Sequence, residues 1–501
     1  MTAPAQAWTR RAAVDLPGPE GDNSIAREPL WYAYGTGADH PEPPPWTWAS
    51  TPPPDTHVPP PPPRPAGPAT LLPLGTTGRL SALPYPRVPA PAPAAPDAVL
   101  HALTAAFAPL RREPENPYNE HRPYASPRCL FPVHAFAGQG GAWRLLEPTR
   151  HALTGPGAGA PARIALTGRY TAIPVAYQWF RGSLVAIELG MVLRALSLGL
   201  ELFGVPATLT LPTTGAPGLL RELGLERTWE WSLPWLVDVG EPRPGAAAAG
   251  PEPPVPGGDP SLTDVVRVNR SQLYEASAAP LTTAVPARLP ASSLVPDWAE
   301  LLWRRHSGRM PRALHGMDSA PRPAPLPARS LATALAWLGV PPPHPVLAAA
   351  FEAVTVTAVV QHIDGYAAGV HRVHDGAAHL VRADATAPAG LEANYGYGLS
   401  PVNGCGIAKA PLTVFFSVRP RELFARLGPA GWGAAQHACG WAVHGLCLAA
   451  AASGLFARPV RAFKEIQTKE VTGLGEDMTI VLSAVVGVPR ETGGAVLDLR
   501  T

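Results

Sequence analysis

Residues 304–309 read Arg-Arg-His-Ser-Gly-Arg, three guanidinium groups around one hydroxyl in a chain with only 16% charged residues. Arginine forks match the oxygens of a phosphate two at a time, and a serine adds a further donor. The spacing fits a phosphate-binding turn. The plain alternative is a solvated helix end of mixed charge. A second chemistry is proton transfer near neutral pH, for which histidine, tyrosine, lysine and carboxylates serve. The candidates are Tyr177, the pair Tyr395 and Tyr397, Lys409, and His437 with His444. The two histidines stand seven residues apart and so share a helix face, where hydrogen-bonded core histidines are the commoner outcome.

Composition bounds what these residues can serve. With 501 residues, 46% of them hydrophobic, the chain can bury more than one core. A net charge of +2 gives no electrostatic drive toward nucleic acid or an anionic membrane, and neither is expected as a partner. Cys129, Cys405, Cys439 and Cys447 form no CxxC pair, so neither zinc nor a disulfide framework is expected. That usage points to a reducing cytoplasm. The most apolar stretch, residues 438–457, is rich in Ala and Gly and carries His444. It reads as a packed interior helix rather than a membrane span. The 66 prolines are the unusual feature. Residues 1–69 end in a proline-rich run that reads as an irregular or polyproline covering arm, and residues 239–260 as a linker.

A linker near the midpoint invites a search for duplication. Gly190 and Gly204 are 14 residues apart, as are Gly440 and Gly454, and each pair brackets a run of small and aliphatic residues. Each run reads as a buried helix closed by glycine. Strand-like runs precede both, at 161–175 and 410–418. Residues 138–153 and 365–380 also correspond, as a glycine turn, a strand, a polar turn and a second strand. The expected organisation is an α+β chain of two modules, 70–238 and 261–501, packed as a homodimer would pack about a pseudo-twofold axis.

The modules resemble the nitroreductase superfamily of flavoproteins. The 304–309 stretch, followed by a helical run at 328–339, is similar to the family's Arg-x-Ser-x-Arg opening. Residues 122–137 resemble the Pro-Ser-x-Gly-x-Leu-x-Pro segment that reaches the flavin from the partner subunit. Ser126, Leu130 and Pro132 fall on that pattern, while Pro127, Arg128 and Cys129 depart from it. Residues 454–463 resemble a Gly-Leu-Gly-x-x-Pro-Ile-Gly-Gly-Phe run, matched at Gly454, Leu455, Pro459, Val460 and Phe463, and 480–490 resembles the closing strand. Within the superfamily the chain looks most like the SagB-type, or McbC-like, dehydrogenases, in a tandem form as in thiopeptide-type pathways. The 362–373 segment and the glycine-rich 428–440 segment carry that likeness.

The resemblance implies two tandem nitroreductase-like modules, the first degenerate and the second FMN-binding. It implies FMN held by Arg304, Arg305, Ser307 and Arg309, with Ser126 and Leu130 from the other module. Pro459, Val460, Arg461 and Arg490 would complete the site. It implies oxidation of thiazoline or oxazoline rings in a ribosomally made peptide, a peptide substrate, and a cyclodehydratase complex as partner, the pseudo-dimer existing as monomer or homodimer. SagB-type enzymes carry a Lys-Tyr pair before the glycine segment. Module two has Arg426-Leu427 there and module one Ala176-Tyr177, so Tyr177 fits the tyrosine and the lysine is missing. A nitroreductase-like enzyme acting on a small molecule and a flavin-free scaffold stay open as alternatives. The reciprocal site would draw on 78–83, which offers only Arg79 and Ser81, so one FMN per chain is expected.

Overall fold

The structure, a computed structural model, describes residues 61–90, 95, 97–114, 120–177, 179–243, 252–257, 259–275, 278–281, 284–290, 293–308, 321–394, 406–461, 463, 465–490 and 495–501. Arg309, Tyr395 and Tyr397 lie outside the described residues, as do the arm up to residue 60 and 244–251 of the linker.

Two large antiparallel sheets hold most of the strands among the described residues. The first comprises β1 (Ala69–Leu71), β2 (Val133–Gln139), β3 (Ala142–Glu147), β4 (Ala152–Thr154), β5 (Arg163–Gly168), β6 (Ala207–Thr210), β7 (Trp235–Val239) and β8 (Ala278–Pro280). Its spatial order is β1-β4-β3-β2-β5-β7-β6-β8. The second comprises β9 (Pro321–Arg322), β10 (Thr355–Val360), β11 (Gly369–His374), β12 (Ala377–Ala383), β13 (Leu412–Val418), β14 (Phe456–Val460) and β15 (Thr479–Pro489). It runs β9-β15-β13-β10-β11-β12, with β14 also paired to β15. Six strands repeat in the same spatial order: β4-β3-β2-β5-β7-β6 in one sheet and β12-β11-β10-β13-β15-β14 in the other. The chain thus carries two modules of one α+β architecture.

The helices that matter here are α1 (Thr76–Ser81), α2 (Ala98–Phe107), α3 (Phe180–Leu202), α4 (Trp298–Arg304), α5 (Ala328–Leu338) and α6 (Gly431–Ala452). α3 and α6 pack on each other, with α2 behind α3 and α5 behind α6. Both central helices carry apolar residues on every side because every side is covered. α3 is long and apolar enough by composition to cross a membrane, yet it is almost wholly buried inside the protein.

The crossing has twofold logic. A Cβ added at Gly190 would overlap the carbonyl oxygen of His437, and one added at Gly440 would overlap that of Ile187. Each pair repeats the other at a spacing of 250 positions, so the pseudo-twofold axis runs between the two glycines. Both helices then end alike. Gly204 and Gly454 take φ of 66° and 69°, and the next amides, Val205 and Leu455, each donate 2.8 Å to the carbonyls of Leu200 and Ala450. This is the Schellman closure that only a residue without a Cβ adopts freely. One hydrophobic core runs through both modules, and a smaller cluster lies under the outer face of each sheet.

The modules also exchange segments. Asp498 and Leu497 near the C-terminus pair with Arg111 and Arg112 of module one, and the Thr77 amide donates to the Thr501 carbonyl at 2.7 Å.

Because backbone stands in the way, Gly440→Ala and Gly190→Ala should each lower stability by about 3 kcal/mol or more. Denaturant titration checks this; a loss below about 1 kcal/mol would mean the helices part easily.

Candidate functional site

The arginine-rich stretch begins where α4 ends. Asp297 caps this helix, accepting from the Glu300 amide at 2.8 Å. At its other end Arg111 of module one donates to the carbonyls of Trp303 and, at 3.3 Å, Arg305. Arg304 is exposed and donates to Glu300 at 2.6 Å. Arg305 turns inward: it is 3% exposed, its Nε donates to the Arg122 carbonyl at 3.1 Å, and its Nη1 is buried with no partner. Burial lowers its pKa. Ser307 is half-buried. Gly308 has φ of 95°, and its amide donates to His306 Nδ1 at 3.2 Å. Burial, helped by Arg111 and Arg305, pushes the His306 imidazole down to about 3, so it is neutral.

The Arg305–Arg122 bond ties this stretch to the chain four residues before the 126–131 loop of module one. Three of its residues, Arg128, Cys129 and Phe131, have φ of 51°, 54° and 47°. Non-glycine residues in this region cost about 1–3 kcal/mol each, a cost the surroundings must offset. Arg128 stands where the resembling pattern has glycine, and it takes the left-handed backbone that glycine adopts freely. The anchor is Glu188 of α3. Its Oε2 accepts from Ser126 Oγ at 2.6 Å and its Oε1 from the Val133 amide at 3.4 Å. Ser126 Oγ in turn accepts from the Phe131 amide at 2.8 Å. Glu188 is fully buried, and burial pushes its carboxyl up to about 8 against the weaker opposing pull of these hydrogen bonds and Arg122. Leu130 is half-buried, its amide bonded to the Pro127 carbonyl at 3.0 Å.

The third wall comes from β14 and the residues after it. The Ala457 amide donates to the His306 carbonyl at 3.3 Å, which ties β14 to the arginine stretch. Pro459 pairs with Ala484 and Val460 with Ser483; Ser483 Oγ donates to the Val460 carbonyl at 2.6 Å. The Arg461 guanidinium lies 5.4 Å from the Phe180 ring and 5.6 Å from that of Phe463. Phe180 stacks with Tyr177 at 6.4 Å, and Arg128 lies 5.9 Å from the Tyr177 ring. A continuous path of contacts therefore joins 304–308, β14, Arg461, Tyr177 and the Ser126 loop across the two modules. Arg490 is exposed just beyond β15. It lies four residues past Val486, which pairs with Ala457, on the side of the arginine stretch.

The other proton-transfer candidates lie elsewhere. Lys409 is exposed on a short turn. His437 is buried, with Nδ1 2.7 Å from the Ala186 carbonyl, and burial lowers it to about 4. His444 is fully buried, both ring nitrogens without a partner, and held neutral by burial and by Arg194 and Arg305. Both are core histidines of α6. Sequence reasoning missed Glu188; its signal was a carboxylate in an otherwise aliphatic helix turn.

No family model matches the sequence, and no curated protein matches it. Solved structures do. A protein from Anabaena variabilis assigned as a nitroreductase superposes with a TM-score of 0.60 at 14% identity, covering 97% of this chain and 99% of that one. Partial superpositions include the Escherichia coli microcin synthetase McbBCD complex with truncated pro-MccB17 bound (TM-score 0.29, 16% identity, 33% of this chain and 65% of that one). Another is a Ralstonia eutropha protein assigned as a nitroreductase (0.29, 17%, 42% and 89%). The full-length superposition makes the fold that of the nitroreductases, built here from two modules in one chain.

Glu188 yields a pH prediction. In the folded protein it keeps its proton up to about 8, against an ordinary value of 4.5. The native state therefore binds more protons across that window, and this group's contribution to stability falls as pH rises through it. Glu188→Gln removes the effect. The variant's melting temperature should gain on the wild type between about pH 5 and about pH 8; parallel curves would show that Glu188 does not titrate there.

Proposed function

We propose that the protein is an FMN-dependent dehydrogenase that oxidises thiazoline or oxazoline rings in a ribosomally made peptide. The observation that carries this is the convergence of the Ser126 loop, Tyr177, the 304–308 stretch and β14 at one place between the modules. The donor set fits a phosphate-bearing flavin. Arg305 has a buried guanidinium nitrogen without a partner, two residues from the half-buried Ser307; Arg304, which is engaged with Glu300 and the Leu294 carbonyl, and Arg490 are the further donors this reading assigns. In this reading Arg304, Arg305, Ser307, Arg309 and Arg490 hold the phosphate. Ser126, Leu130, Pro459, Val460 and Arg461 border the ring system. When bound, FMN supplies the two-electron acceptor.

The chain's own part is geometry and one proton. Azoline oxidation takes a hydride equivalent from one ring carbon and a proton from its neighbour. Tyr177 is the hydroxyl at the junction, its ring held by Phe180 and beneath Arg128, and we assign it the proton relay. Glu188 fixes Ser126, and through it the strained loop that forms the opposite wall. A peptide substrate, with a cyclodehydratase complex as the source of the azoline, completes the reading, which places the enzyme in the cytoplasm.

Purified protein should carry one FMN per chain on extraction. Arg309→Ala should weaken binding by about 1.5–3 kcal/mol, roughly tenfold to more than a hundredfold; full flavin retention after dialysis would put the phosphate elsewhere. With an azoline peptide, mass spectrometry should show loss of two hydrogens per ring. Tyr177→Phe should slow flavin reduction in a single turnover by about 10²–10⁴. An unchanged rate would end its assignment, and a protein without flavin would end the enzymatic reading.

A further inference from the structure

A cavity of about 480 Å³ opens in module one. Cys129, Leu130 and Phe131 form part of its wall, whereas Ser126, Arg128, Tyr177 and the 304–308 stretch do not line it. It is therefore a separate space behind the same loop.

The cavity joins an apolar floor to a cationic mouth. Phe107, Val133 and Leu146 line the floor. Five arginines and two glutamates line the rest. Glu120 lies between Arg112 at 3.4 Å and Arg122 at 2.6 Å. Glu147 lies between Arg64 and Arg150, at 2.6 and 2.9 Å. Thr149 Oγ1, in the turn between Glu147 and Arg150, donates to Glu120 at 3.1 Å. The fifth arginine, Arg169, is matched by Glu230 at 2.5 Å. Among the described residues each array thus sets two guanidinium groups against one carboxylate, leaving an excess of positive charge at the mouth. Arg64, Arg112 and Arg150 are about half exposed there, so they meet an incoming ligand.

His134 adds a second, independent feature. It lines the cavity, and among the described residues its ring makes no hydrogen bond. Its ring packs edge-on to Trp231 at 5.3 Å. Burial, reinforced by Arg122 and Arg169, pushes its pKa down to about 3, so it offers one donor and one acceptor without charge.

We infer that this cavity is a second ligand site, for an anion with an apolar or aromatic body. The acidic group sits between the two Arg–Glu–Arg arrays, the body lies on Phe107 and Leu146, and His134 takes a hydrogen bond from or to the ligand. An arginine-rich mouth over an apolar floor is the arrangement that recognises a carboxylate, sulfonate or phosphate attached to a hydrophobic group. The ligand is either a free small acid or an acidic residue beside a hydrophobic one in a peptide. The inference stands without the flavin reading.

The test uses the full chain and 8-anilinonaphthalene-1-sulfonate, an aromatic sulfonate that fluoresces on leaving water. Saturable binding of one probe per chain is expected, weakening as salt is raised. The double variant Arg112→Glu, Arg150→Glu reverses two half-exposed charges without touching the core, and it should weaken the probe at least tenfold. Leu146→Trp should block it by filling the floor. Flavin content should be the same in all three proteins, so a missing flavin would count against the proposed function alone. Displacement by phenylacetate but not by acetyl-Glu-Phe-amide identifies a free acid as the ligand; the reverse identifies a peptide. Probe affinity indifferent to salt and to the charge reversal would overturn the site, leaving only apolar adsorption.

Discussion

Two carbonyl oxygens set the distance between the halves of this molecule. Where α3 crosses α6, the oxygens of His437 and Ile187 occupy the space that a Cβ on Gly190 or Gly440 would need. Helix axes usually stay 8–10 Å apart, depending on the side chains between them. Glycine on both sides permits close approach, and close approach places everything that hangs on the helices. Glu188 stands two residues before Gly190 and holds the Ser126 loop. Arg194 stands one turn after it and reaches across. Its guanidinium donates to the carbonyls of Trp441 at 3.0 Å and Trp337 at 3.2 Å in module two and lies over both indole rings. Burial, opposed in part by Glu201, lowers this arginine to about 9; the carbonyls and the aromatic faces help make a buried cation tolerable.

The same closeness explains why strain can persist at the module boundary. Three left-handed residues within four positions would relax if the loop could move. Arg305 holds the preceding backbone at Arg122, Glu188 holds Ser126, and the Ser126 hydroxyl holds the Phe131 amide. One of these anchors comes from module two and two from module one. The loop conformation is thus a property of the assembled pair, as expected of a wall between two subunits of a dimer.

Much of this was readable in the residues because glycine has few uses. A pair of glycines repeated at one spacing implied two buried helices with the same closures, and both were found with the same hydrogen bonds. The strand runs were readable from their β-branched and aromatic content. What stayed hidden depended on contacts between distant residues. Nothing in the local sequence marks Glu188 as the partner of Ser126, 62 positions away, or shows Arg111 clamping the end of α4. Nor does composition reveal that residues 278–280 extend the sheet of module one by pairing with β6. Those pairings join residues far apart in the chain, which local propensity does not report.

The duplication also says why the halves differ. Strand pairing sets Ala165 opposite Phe136 and Phe415 opposite Thr357, and the glycine crossing relates positions 250 apart, which fixes the counterpart of each site residue. Tyr177 corresponds to Leu427, Phe180 to Ala430 and Arg461 to Leu211, which is 2% exposed. The counterpart of the Ser126 loop is the helix Pro345–Glu352, with Leu347 in the place of Ser126. Arg79, the cation left on the reciprocal side, is paired with Asp97 at 2.9 Å. Tyr177, Phe180, Arg461 and Ser126 are thus each matched by an aliphatic residue at the mirror image, and Arg79 is already neutralised. An apolar counterpart at each position strengthens packing without any need to hold a ligand. In the proposed function the two halves therefore contribute unequally, module one bringing Ser126 and Tyr177 and module two the arginine stretch.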